Sequence, residues 1–310
     1  MPTSLETLSN DLVAAVDQVA PAVVAVHARR RIPSTGVLWQ PGVIVAADHT
    51  VRTDDEVTIT LAGGAEARAQ VAGRDPTTDL CALKLAAGSA AGGSRTAAID
   101  ETPVRVGLLA MTLGRPGRDV TAAMGIVSAA GPAWRTSSGG RVDQFIHLDI
   151  SIYDGFSGSP LVTPSGRVAG ICTSGLARGA PLVVPAATVH RVVDGLLTHG
   201  GVTRRGFLGV GTQLVPLPDA IRQQLKPIGG RVPATGLMIV SVQSGTSADR
   251  AGMLLGDVLI GLGDEAIEDP RDVLAALGPE SVGRELRATL IRAGRAMTLT
   301  VTVSAQPPRS

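Results

Sequence analysis

At 310 residues the chain is long enough for two domains, each burying a core of its own. Its 28 Lys and Arg nearly balance 27 Asp and Glu, a net charge of +1 that gives no electrostatic footprint for a nucleic acid or an acidic partner. No apolar run reaches the roughly 18 residues of a spanning helix, and two cysteines without metal spacing beside five scattered histidines argue against a zinc site. Cys81 and Cys172 read as small buried hydrophobes. Abundant Gly and Pro (38 and 20) with 2% aromatics predict many short strands and turns around cores of Val, Leu, Ile and Ala. Arg29-Arg30-Arg31 reads as a solvated loop. The first ten residues carry no basic n-region, and the apolar stretch after them is broken by Asp17 and Pro21, so no secretory signal is expected. As written the chain is expected in the cytoplasm, and in the periplasm or secreted if the true start lies upstream.

In chain order, Leu8, Leu12, Val13, Val16 and Val19 have helical spacing that ends at Pro21. Ala22 to His27 is a buried strand, and Ile32 to Val45 holds strand pieces divided by Gly36, Pro41 and Gly42. Val57 to Leu61 and Ala65 to Val71 alternate around Gly63-Gly64, a hairpin. Asp75-Pro76-Thr77-Thr78-Asp79 turns into the strand Leu80 to Leu85. After a Gly/Ala/Ser loop at Ala86 to Arg95 come strands at Gly107 to Leu113, Val120 to Val127 and Gln144 to Leu148. Val168 to Ser174 and Pro181 to Val184 are the closing strands, and Thr188 to Leu197 a helix stopped by Gly200-Gly201. Repeated short strands with regular turns predict a sandwich or barrel. Val202 to Arg205 is a candidate linker. Beyond it, strands at Gly236 to Val242 and Asp257 to Ile260, a helix at Pro270 to Leu277 and a hairpin around Gly294 predict a small α/β domain with a frayed tail.

The stretch Asp154-Gly155-Phe156-Ser157-Gly158-Ser159-Pro160 packs three small residues and a proline around one serine. Such a loop suits either an exposed turn or a nucleophile whose oxyanion meets the amides of Gly155 and Ser157. His49, Asp79 and Ser157 lie in that order, each at a turn or strand end. Acyl transfer by a serine needs a base, and the base needs a carboxylate to fix its tautomer. His, Asp, Ser is the chain order of the chymotrypsin-type barrels.

On these residues the chain resembles the HtrA/DegP-type trypsin-like serine proteases with a C-terminal PDZ domain. Ala47-Asp48-His49-Thr50-Val51 resembles the histidine motif and Asp75-Pro76-Thr77-Thr78-Asp79-Leu80 the aspartate motif. Gly125-Ile126-Val127-Ser128 is similar to the strand before the active-site loops, and Gly155 to Val162 to the nucleophile motif. The resemblance implies a mainly β fold: a chymotrypsin-like double β-barrel followed by a small α/β PDZ domain. The expected divisions are a helical segment at 1–20, the protease at 21–201, the PDZ domain at 202–303 and a disordered tail at 304–310.

Carried over by position, Ser157 is the nucleophile, His49 the base, Asp79 the orienting carboxylate and Thr173 its hydroxyl support. Asp75, before Pro76, reads as a turn cap. The oxyanion hole falls to Gly155 and Ser157, and the specificity pocket to Ser151, Ile152, Cys172, Ser174 and Gly175. No acidic residue matches the pocket base, so Val, Ala, Ile or Leu is expected before the scissile bond. Arg205-Gly206-Phe207-Leu208-Gly209-Val210 is similar to the PDZ carboxylate loop, giving a peptide-binding role to Phe207, Leu208, Gly209 and Val210. The implied substrates are unfolded or C-terminally exposed polypeptides, in protein quality control, without cofactor or metal. Phe156 stands where the family has Asn and Ser159 where it has a second Gly. The N-terminal segment lacks the aromatics that often join these proteases into trimers. A catalytically silent peptide-binding relative and an acyl esterase are the rival expectations.

Overall fold

The structure, a computed structural model, describes residues 3–29, 32–53, 56–86, 88, 93–151, 153–177, 181–199, 201–202 and 206–305. Helix α1 (Ser4–Val19) starts ahead of Leu8 because Thr3 and Glu6 form a capping box. The Thr3 N–H donates to the Glu6 carboxylate at 2.7 Å, and Thr3 Oγ1 accepts the Glu6 N–H at 3.2 Å. Ala15 and Val19 are its buried positions, while Leu5 and Leu8 near its start are exposed.

Six strands form the first barrel: β1 (Val23–His27), β2 (Ser34–Gln40), β3 (Val43–Ala47), β4 (Glu56–Thr60), β5 (Glu66–Asp75) and β6 (Leu80–Leu85). They pair antiparallel in the order β5-β4-β1-β2-β3-β6, and β6 returns to β5. One face of these strands, with Val24, Val26, Ile44, Ala46, Ile59, Cys81 and Leu83, fills the barrel. The alternate face, with Val23, Val37, Val45, Leu80 and Ala82, packs in a second cluster with Leu113, Val162 and Ile171 of the following strands. Burial on both faces is why β1 and β3 read as unbroken apolar runs.

The second barrel holds β7 (Leu109–Gly114), β8 (Thr121–Gly131), β11 (Phe145–Asp149), β12 (Pro160–Val162), β13 (Val168–Thr173) and β14 (Leu182–Pro185), and between β8 and β11 the chain makes a separate short hairpin of β9 (Trp134–Arg135) and β10 (Arg141–Val142). It closes in the order β11-β14-β13-β12-β7-β8. Helix α2 (Ala186–His199) leaves β14 directly and covers the shared cluster through Val189, Val193 and Leu196. Strand β15 (Gly201–Val202) adds parallel to β5. The chain divides into two compact units, Met1–Thr203 and Arg204–Ser310.

In the second unit β16 (Gly206–Phe207) precedes β17 (Val210–Pro216), α3 (Asp219–Arg222), β18 (Thr235–Val242), α4 (Ser247–Arg250), β19 (Val258–Leu262) and β20 (Glu265–Ala266). Helix α5 (Pro270–Ala276), β21 (Glu285–Arg292), β22 (Arg295–Thr302) and β23 (Ser304–Ala305) complete it. The sheet runs β17-β18-β19-β21-β22, so one edge of β17 has no partner strand among the described residues. Ser304 and Ala305, expected in a frayed tail, pair with Phe207 and Gly206 instead. The expected tail residues 306–310, Arg30, Arg31, the Gly200 stop and the linker positions 203–205 lie outside the described residues.

Candidate active site

Strand β3 ends at Ala47, and the single turn Asp48–Thr50 beyond it presents His49. The turn is tied down from two sides. The Asp48 N–H donates to Asp79 O at 3.1 Å, and the Arg74 guanidinium reaches the Asp48 carboxylate at 2.8 Å and Val51 O at 2.7 Å. Burial pushes the Asp48 carboxyl above its ordinary range despite Arg74. Asp79 closes the neighbouring turn, where the Asp75 carboxylate accepts from Thr77 N–H at 3.0 Å and from Thr78 Oγ1 at 2.8 Å. Asp79 itself takes a left-handed backbone, φ 58°, which Asp tolerates better than most residues.

That conformation turns both Asp79 oxygens onto the histidine. Oδ1 accepts the His49 N–H at 2.8 Å, and Oδ2 lies 2.8 Å from His49 Nδ1. The buried Thr173 hydroxyl donates to the same Oδ2. A proton held on Nδ1 by this carboxylate leaves Nε2 with its lone pair free to act as base. Gly175 closes the arrangement: a Cβ there would stand 2.5 Å from Asp79 Oδ2 and 2.6 Å from His49 Nδ1. Its N–H donates to Thr173 Oγ1 at 2.9 Å.

Ser157 comes from the loop before β12. Phe156 N–H donates to Tyr153 O at 3.0 Å, closing a four-residue turn whose third position is Gly155 at φ 94°. A positive φ at that position is the type II requirement that glycine meets. Gly158, at φ 92°, donates to Cys172 O at 2.9 Å, and a Cβ there would come within 2.0 Å of Thr35 O. The N–H groups of Gly155 and Ser157 have no acceptor among the described residues. Ser157 Oγ lies 3.1 Å from Ser174 Oγ and makes no hydrogen bond to His49 among the described residues. Apo sites commonly hold this contact loosely.

The two departures from the resemblance are both buried. The Phe156 ring, 1% exposed, lies over Gly114 and meets Tyr153 edge-on with centroids 5.5 Å apart. Ser159 turns its hydroxyl into the barrel, onto Thr112 Oγ1.

A cavity of about 290 Å³ opens beside His49 and Ser157. Ser151 and Ser174 line it as expected, together with Ile150, Tyr153, Pro181, Asp154 and Arg29, the last read from the sequence as part of a solvated loop. Asp154 is solvent-exposed. Cys172 needs correcting: it is fully buried in the second barrel with Val127, Ile146 and Leu161, and burial pushes its thiol up to about 11. Successive strand residues face opposite ways, so with Thr173 turned to Asp79, Cys172 must face the barrel interior. Gly175 packs on the His49–Asp79 pair and is not among the lining residues. Ile152 lies outside the described residues.

In the second unit, Gly209 sits at φ 81°, where a Cβ would meet the Thr246 side chain at 2.4 Å. Ala248 N–H donates to Leu208 O at 2.9 Å and Gln243 N–H to Gly209 O at 2.8 Å, while the amides of Leu208 and Gly209 have no acceptor among the described residues. The Leu208 side chain, 2% exposed, fills the core with Leu237 and Leu290, so a binding role falls to its backbone alone. Phe207 and Val210 are half-buried.

Two closed six-stranded barrels that bring a His–Asp pair and a serine loop together define a trypsin-type serine protease fold, here followed by a PDZ fold. The trypsin-like peptidase domain family matches residues 34–171 and the PDZ domain family residues 206–303. A probable periplasmic serine endoprotease, DegP-like, of Brucella suis biovar 1 (strain 1330) is 34% identical over 277 residues, covering 87% of this chain and 52% of the relative. The chain thus spans about half the length of the curated relatives it matches. Among solved structures, the HtrA-type protease AlgW with tripeptide is 28% identical with a TM-score of 0.69, covering 96% of this chain and 98% of its own. The serine endoprotease from Yersinia pestis, 23% identical with a TM-score of 0.72 over 99% and 100% of the two chains, shares the fold. The chain belongs to the HtrA/DegP-like trypsin-type serine proteases with a PDZ domain. No helix among the described residues is long and apolar enough to cross a membrane.

Proposed function

We propose that this chain is a serine endopeptidase that cleaves unfolded or unstructured polypeptides, with Ser157 as nucleophile, His49 as base and Asp79 as orienting carboxylate. The observation that carries this reading is the bonded run Thr173–Asp79–His49 beside a cavity shared by His49 and Ser157. Ser157 Oγ attacks the scissile carbonyl while its proton passes to His49 Nε2. The new oxyanion accepts from the unpaired N–H groups of Gly155 and Ser157. The imidazolium, stabilised by Asp79, returns the proton to the leaving amine, and water then releases the acyl group by the same route. Thr173 holds Asp79 in place. Ile150, Tyr153 and Pro181 suit an apolar side chain before the scissile bond, and the exposed Asp154 is too well hydrated to hold a buried cation.

The PDZ unit is proposed to take polypeptide C-termini, the terminal carboxylate meeting the Leu208 and Gly209 amides and the peptide adding to the free edge of β17. Substrates presented this way fit a role in protein quality control. The curated relatives are named periplasmic, which favours the exported alternative for this chain over the cytoplasmic one.

Digestion of casein tests the reading. Wild type should degrade it, while Ser157→Ala and His49→Ala should leave it intact at unchanged melting temperature. A silent peptide-binding relative is the second reading, favoured by the Ser157–Ser174 contact standing in place of a serine–histidine bond. It predicts intact casein with all three proteins.

A further inference from the structure

Thr35, on β2, has no part in the chemistry just described, yet it grips both residues of the oxyanion loop. Its N–H donates to Ser157 O at 3.3 Å, and its Oγ1 donates to Gly155 O at 2.7 Å. The same hydroxyl accepts the Arg115 N–H at 2.9 Å, and the Gly155 carbonyl takes its proton. Its carbonyl lies where a Cβ on Gly158 would stand 2.0 Å away. Thr35 is 0% exposed, and Gly155 is buried as well.

We propose that Thr35 is a positioning residue for the oxyanion hole. This rests on the endopeptidase reading and adds to it the device that sets the hole's geometry. The two candidate amides belong to Gly155 and Ser157, and one strand residue of the first barrel holds the carbonyl of each. The Gly155–Phe156 peptide is held at both ends, its N–H by Tyr153 O at 3.0 Å and its C=O by Thr35. Arg115, the second partner of the hydroxyl, anchors its own guanidinium to Val23 O at 2.7 Å and Ala20 O at 3.3 Å. The loop of the second barrel is thereby referred to the same framework that carries His49. Without the hydroxyl, Gly155 O and the Arg115 N–H lose their partner in a buried site, and the loop must move to satisfy them.

The test is Thr35→Val, which replaces the hydroxyl by a methyl of similar size. Deleting an oxyanion donor outright costs about 100- to 1000-fold in kcat. A donor still present but displaced should cost less, so a kcat lower by about 10- to 100-fold with KM within about twofold is expected. Affinity for a peptide aldehyde, whose hemiacetal with Ser157 places its oxygen in the hole, should fall by the same factor. Thr35→Ser keeps the hydroxyl and should restore both. Should Thr35→Val melt below the assay temperature, Thr35→Ala read against Thr35→Ser below both melting points makes the same comparison. An unchanged kcat, a rise in KM alone, or an equal loss in Thr35→Ser overturns the positioning role. Fluorophosphonate labelling separates the two levels. If wild type labels at Ser157 and Thr35→Val turns over normally, only the Thr35 proposal falls; if wild type does not label, the endopeptidase reading fails and takes the proposal with it.

Discussion

Phe156 is the residue on which the Ser157 loop rests. Its ring is 1% exposed, and it lies so close over Gly114 that a Cβ there would stand 2.6 Å from two ring carbons. Truncating it to Ala removes a fully buried aromatic side chain, which costs about 3–5 kcal/mol including the cavity left behind. The edge-on contact with Tyr153, centroids 5.5 Å apart at 71°, disappears with it and adds about 1 kcal/mol. Set against the roughly 5–15 kcal/mol that holds a domain of this size together, the loss should lower its melting temperature by roughly 10–20 °C. The loop bears most of the cost, because the ring fills the space between it and β7. Phe156 lies between the two amides assigned to the oxyanion, and one misdirected donor lowers turnover by about 100-fold or more. Phe156→Ala should therefore lower kcat by about two orders of magnitude with KM little changed, in steady-state kinetics on one peptide substrate. Gly114→Ala approaches from the other side, since its methyl must push the ring, and should give the same signature more weakly. A rise in KM with kcat intact would refute the buried-anchor reasoning and make the ring a substrate contact.

Gly175→Ala should nearly abolish turnover, because its Cβ would stand 2.5 Å from Asp79 Oδ2 and 2.6 Å from His49 Nδ1. Losing the orienting carboxylate costs about 10,000-fold in the chymotrypsin-type template, and peptide kinetics above one-tenth of wild type would contradict this. In the PDZ unit, burial alone would raise the Asp257 carboxyl, but the Arg292 guanidinium and the Leu254 N–H outweigh it and hold it below its ordinary value of 3.8. A folded-state pKa below the unfolded one gives stability that is present above pH 3.8 and lost as pH falls through and below it. Urea midpoints measured from pH 7 to pH 3 should drop steeply at the acid end for wild type and less for Asp257→Asn; parallel curves would refute the linkage. Residues 206–305 expressed alone should fold and bind peptides with a free C-terminal carboxylate. Amidating that carboxylate should remove most of the affinity by calorimetry, and equal binding would show that the Leu208 and Gly209 amides are not the receptor.

Much of the architecture was legible because its strands are regular. Alternation marked the Val57 to Val71 hairpin, and the short motifs around His49, Asp79 and Ser157 stand at strand ends where they can converge. Period-two geometry also held the correction for Cys172: two successive residues of β13 cannot both face the catalytic side. The α1 start was hidden because its first turn is polar or exposed, and only the Thr3–Glu6 spacing announces the cap. Thr35 was hidden for a different reason. A threonine in a strand is unremarkable by itself, and its partner Gly155 lies 120 positions away. Likewise Leu208 reads as part of a binding loop, while its side chain is claimed by a core assembled from residues up to Val303.

The central claim is that Ser157 is a nucleophile activated by His49, and the most direct measurement is fluorophosphonate labelling mapped by mass spectrometry. The phosphonylated residue in wild type should be Ser157, with one label per chain. Ser157→Ala should take no label, and His49→Ala should label far more slowly while melting at the same temperature. A wild-type chain that stays unlabelled, or a Ser157→Ala chain that labels as fast as wild type, would contradict the account.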